Sequence, residues 1–109
     1  MPSKLPFNYT TPTGERFEVE FELHPDTVSA MRVSQLLERL MDTLDHEIGI
    51  LGNTANGDVL QALTMALSLR AGMIHANPEV TGQLCKDLLD RALKSVDNSR
   101  RSHDLSGHA

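Results

Sequence analysis

Residues 58–77, DVLQALTMALSLRAGMIHAN, decide how this chain folds. Val59, Leu60, Ala62, Leu63, Met65, Ala66, Leu67, Leu69, Ala71, Met73 and Ile74 are apolar, and no proline interrupts them. Leu, Ala, Met and Gln lose little side-chain freedom in a helix, so the stretch favours one. Its apolar positions cover most of the circumference, the pattern of a helix packed on several sides. Gln61, Thr64, Ser68, Gly72 and His75 recur at spacings of three and four and form one narrow, weakly polar seam. Arg70 is the single formal charge between the two ends. Ala62, Ala66 and Gly72 permit close approach of another backbone, which suits a helix crossing better than a ligand pocket. A chain of 109 residues has few segments to cover such a helix. The sequence therefore predicts a buried middle helix, with part of its cover lent by a second copy.

On the N-terminal side, residues 5–23 read as a β-hairpin. Leu5, Phe7 and Tyr9 alternate with polar residues or proline, and Pro6 assigns that strand to a sheet edge. The run Thr11, Pro12, Thr13, Gly14 carries turn chemistry. Phe17, Val19, Phe21 and Leu23 then alternate strictly with Arg16, Glu18, Glu20 and Glu22, the period of a half-buried strand. A lone hairpin is marginal in water, so its apolar face must rest on helices or extend across a dimer.

A first helix is expected to about residue 51, capped by Asp26, Thr27 or Ser29. Val33, Leu36, Leu37, Leu40, Met41, Leu44, Ile48 and Leu51 form its stripe. Residues 52–57 form a loop, with Gly52 at the helix end and Asn56 or Asp58 capping the next helix. Asn77, Pro78 and Glu79 spell a third helix start: a cap, a proline at the first position and an acid in the first turn. Val80, Leu84, Cys85, Leu88, Leu89, Ala92, Leu93 and Val96 line that helix, and residues 98–109 read as a flexible polar tail. The expected fold class is α+β and mostly helical: one domain over residues 1–97, with the hairpin followed by three helices.

Composition narrows the function. The net charge of −5 lacks the basic face that a nucleic-acid binder or an anionic membrane surface demands, so neither partner is expected. The order strand, helix, helix is that of ribbon-helix-helix repressors, but three outward glutamates would repel phosphates here. No apolar run is long enough to span a bilayer and no signal-like segment opens the chain, so the cytoplasm is expected. Cys85 stands alone, flanked by leucines, as a small core hydrophobe.

Chemistry is sparse. The two glycines at 52 and 57 have the spacing of a phosphate loop, but Asp58 replaces the required lysine and the loop follows a helix. His46 and Glu47 begin like a zinc-protease motif, but Ile50 stands where its second histidine belongs. Ser68 and His75 are the only catalytic pair the middle segment offers, with no third group to hold a base. No cofactor is implied. The main expectation is a non-enzymatic interaction or regulatory protein acting as a small homodimer. Glu18, Glu20 and Glu22 would form a strip for a basic protein partner, and Gln61, Ser68 and His75 a polar seam. The alternative is a small-molecule or metal-binding module, using Glu38, Asp42 and His46 along one face of the first helix.

Overall fold

The computed structural model describes the backbone of residues 4–107 and the side chains of residues 4–101. Its elements are β1 (Lys4–Thr10), β2 (Arg16–Glu22), α1 (Ala30–Leu51), α2 (Asn56–Gly72) and α3 (Pro78–Gly107). The fold is α+β and mostly helical, with the N-terminal hairpin and three helices in the order expected from the sequence.

The strands pair antiparallel, with Leu5 opposite Phe21, Phe7 opposite Val19 and Tyr9 opposite Phe17. The turn closes through Thr11 N–H to the Glu15 carbonyl at 2.8 Å and Gly14 N–H to the Thr11 carbonyl at 2.9 Å. Gly14 sits at φ +90°, where a side chain would be strained. The odd-numbered apolar side chains share one face, on which the Phe7 and Phe21 rings lie 6.4 Å apart in a tilted contact.

Helix ends follow local hydrogen bonding. Of the three possible caps for α1, Ser29 is the one used: its Oγ accepts the Arg32 N–H at 3.1 Å. Asp26 and Thr27 are engaged earlier, in a turn where Asp26 N–H donates to His24 Nδ1 and the Thr27 hydroxyl to the His24 carbonyl. Gly52, at φ +87°, ends α1 by donating to the Ile48 carbonyl at 2.9 Å. Neither Asn56 nor Asp58 caps α2: Ala55 precedes it without a side-chain bond, and Asp58 lies in its first turn. Asn77 caps α3 as expected, its Oδ1 accepting the Glu79 N–H at 2.9 Å.

Two boundaries differ from the sequence reading. The middle helix ends at Gly72, five residues before Asn77; the chain turns over residues 73–76, and Pro78 disfavours helical backbone at Asn77. The last helix continues to Gly107, through most of the residues read as a tail, with an Asp97–Arg101 pair at 3.1 Å one turn apart. Residues 108 and 109 of that tail lie outside the described residues.

The core is small. Leu5 and Val19, each 9% exposed, are its buried apolar residues among those described. α1 contacts β1, and its half-buried line Leu37, Met41, Leu44 and Ile48 marks the face turned to that strand. α3 contacts β2, and α2 touches α3. The expectation of a buried middle helix does not hold within one chain. α2 carries no buried residue, and Leu63, Leu67 and Ile74 are 42%, 42% and 53% exposed. The cause is topological: α1 packs on β1 and α3 on β2, while among the described residues α2 touches only α3 and makes no contact with α1 or the hairpin.

Candidate functional site

Two surfaces bring together side chains that could act. The first is the join between β2 and α3. Antiparallel pairing with β1 leaves the even-numbered N–H groups of β2 facing away from the sheet, the usual hazard of an edge strand. Here α3 covers that edge with serines. Ser95 Oγ accepts the Glu22 N–H at 2.9 Å, and Ser99 Oγ accepts the Glu20 N–H at 3.4 Å. The match is geometric: one helical step of four residues rises about 6 Å, close to the roughly 6.6 Å spanned by two strand residues. Ser95 is only 5% exposed, and its hydroxyl proton goes to the Arg91 carbonyl at 2.9 Å.

Around this join the glutamate strip is already paired. Glu22 bonds Arg91 at 2.9 Å, Glu20 lies 3.8 Å from Lys4, and Glu18 lies 3.3 Å from Arg16. Arg91 also holds Asp87 at 3.0 Å, and His24 Nε2 lies 3.7 Å from the same carboxylate. Glu18, Glu20 and Glu22 therefore share the outer face of β2 as the sequence places them, but each meets a cation of its own chain. That pairing leaves less free negative charge for a basic partner. The polar cleft of ≈570 Å³ beside the strip is lined by both signs, including Lys4, Lys94 and the three glutamates.

The second surface is a groove of ≈580 Å³ between α2 and α3. Thr64, Leu67, Ser68 and Ala71 line it from α2, and Thr81, Cys85 and Leu89 from α3. The groove is open to solvent and its lining is mostly apolar. The polar seam is only partly assembled. Thr64 and Ser68 face the groove, but their hydroxyls donate to the carbonyls of Gln61 and Thr64 at 2.8 and 3.0 Å. Gln61 is exposed, and His75 lies beyond the helix, in the α2–α3 connection. Ser68 and His75 thus do not share a helix face, and no acid or base is held beside the serine.

Glu38, Asp42 and His46 lie exposed along α1. Among the described residues no three His, Cys, Asp or Glu side chains gather as a possible metal site. Asp45, one position before His46, is half-buried, and its Oδ2 has no protein hydrogen-bond partner.

The signal missed by sequence reasoning is the role of Ser95 and Ser99. Two serines one turn apart on a helix read as ordinary surface residues until the strand edge they cover is known. No helix among the described residues is long and apolar enough to cross a membrane. Comparison with protein-family models, with curated proteins and with solved structures finds no match.

Proposed function

We propose that this chain is a non-enzymatic interaction protein that works as a homodimer, its exposed helices forming a shared core between two copies. One observation carries the reading. The chain exposes 9073 Å², whereas a compact monomer of its 12.0 kDa exposes about 6,000 Å². The radius of gyration, 15.5 Å, is likewise larger than the roughly 13 Å of a compact chain this long. The excess, about 3,000 Å² per chain and so about 6,000 Å² for a pair, lies at the upper end of what obligate homodimers bury in total. Much of it is apolar: Leu36, Leu40, Leu60, Leu69, Leu88 and Leu93 are among the exposed large side chains. Exposed apolar area on this scale marks an interaction surface.

Two buried apolar residues among those described, with a half-buried layer around them, are a thin offset to the conformational entropy of ordering a domain of this length. Folding and association are therefore one event, and the unfolding midpoint rises with protein concentration. Sedimentation at micromolar concentration is the test. The expected species has twice the 12.0 kDa chain mass. A folded species of single-chain mass, with an unfolding midpoint independent of concentration, would overturn the reading.

A further inference from the structure

The dimer reading leaves open which face meets which, and α2 carries a pattern that answers it. Thr64, Leu67 and Ala71 form the line turned toward α3, since they line the groove between the two helices. On the far side of α2, Val59, Ala62, Ala66, Leu69 and Met73 recur at steps of three, four, three and four residues. That is a complete coiled-coil seam of two heptads, opposite the seam already used. Among the described residues it is largely uncovered: Ala62 and Ala66 are exposed, Leu69 and Met73 are 69% and 62% exposed, Met73 meeting only the Arg70 guanidinium of its own helix end, and Val59 is half-buried. No charged residue belongs to it, since Asp58 and Arg70 flank it.

Resting on the homodimer reading, we infer that the two copies pair through this seam, α2 against α2, with the twofold axis beside Ala66. A twofold interface uses one patch on both subunits, so the patch must complement itself. This one does. Its middle is small, Ala62 and Ala66, and its ends are large, Val59, Leu69 and Met73. Two such helices approach most closely at the alanines, while the larger side chains pack to either side of the crossing. The pairing also accounts for why α2 is apolar all round: α3 takes one side and the partner's α2 the other. The area argues for a second copy as the occupant: the chain as a whole leaves uncovered as much surface as a large homodimer buries, far more than a small ligand site, and this seam is one part of it.

Cysteine crosslinking tests this on the full chain. In a Cys85→Ser background, which removes the single native thiol, cysteine is placed at Ala66, at Ala62 or at the exposed α1 position Glu38. Mild oxidation should join Ala66→Cys chains into covalent dimers roughly tenfold or more faster than Glu38→Cys chains, because a thiol beside the axis meets its mate at high effective concentration, with Ala62→Cys, one turn off the axis, slower than Ala66→Cys. Sedimentation before oxidation is recorded for all three. If all are dimers and the α2 variants crosslink no faster than Glu38→Cys, the seam is refuted and the homodimer stands. If all sediment as single chains, both readings fall. Loss of the dimer in the α2 variants alone, with Glu38→Cys still dimeric, also supports the seam, since the added side chain then obstructs the crossing.

Discussion

Replacing Ser95 with alanine isolates what holds the hairpin to the last helix. In the native chain the Ser95 hydroxyl accepts the Glu22 N–H at 2.9 Å and is 5% exposed. Alanine leaves that N–H at a covered strand edge with no partner, which costs about 1–3 kcal/mol. The Arg91 carbonyl loses a second donor but keeps its helical bond, so the loss there is small. Alanine is the better helix former, returning up to about 0.5 kcal/mol. The net expectation for Ser95→Ala is a destabilisation of about 1–2 kcal/mol. Ser99→Ala provides the internal comparison. Its bond to Glu20 is longer, 3.4 Å, and lies in the open, so water replaces it and the net change is near zero. Urea titration at one fixed protein concentration measures both, and the midpoint should fall for Ser95→Ala with the slope unchanged. Hydrogen exchange adds a local readout, since the Glu22 amide should lose protection more than its neighbours. If Ser95→Ala matches Ser99→Ala in midpoint and leaves Glu22 protected, the serine clamp is not what joins these elements.

Leu5→Ala empties one of the two buried apolar positions and should cost about 2–3 kcal/mol, read as a drop in urea midpoint. An unchanged midpoint would place the stabilising core elsewhere. Gly52→Ala tests the end of α1: no atom stands within 4 Å of the added methyl, but φ +87° with ψ −146° is a conformation that only glycine adopts easily. The loss should be about 1–3 kcal/mol from backbone strain alone, and a neutral variant would show that the α1–α2 connection rearranges freely.

The hairpin, its register and the third-helix cap were legible because each is set locally. Strict alternation from Phe17 to Leu23 fixes a strand, and Asn77 with Pro78 fixes a helix start. The first cap was less determined, since Asp26, Thr27 and Ser29 all suit an N-cap; the Thr27 hydroxyl goes to the His24 carbonyl and Ser29 is the one that meets the Arg32 N–H. Burial of the middle helix was misjudged within the chain because periodicity reports which faces avoid water and not which molecule covers them. Glu18, Glu20 and Glu22 share one face of β2 as alternation requires, but Lys4 and Arg91 lie on the other strand and on α3, so only the Arg16–Glu18 pair was legible within residues 16–22. Ser68 and His75 looked like one seam only while the helix was taken to reach residue 77; the turn before Pro78 separates them.

The clamp of Ser95 on Glu22 spans 73 residues, so an earlier-made and a later-made element hold each other. At synthesis rates of roughly 5–20 residues per second, the hairpin waits about 4–15 s for α3 to leave the ribosome. Throughout that interval α1 and α2 emerge with their leucines uncovered. Such an interval gives chaperones a defined window in which to hold the chain.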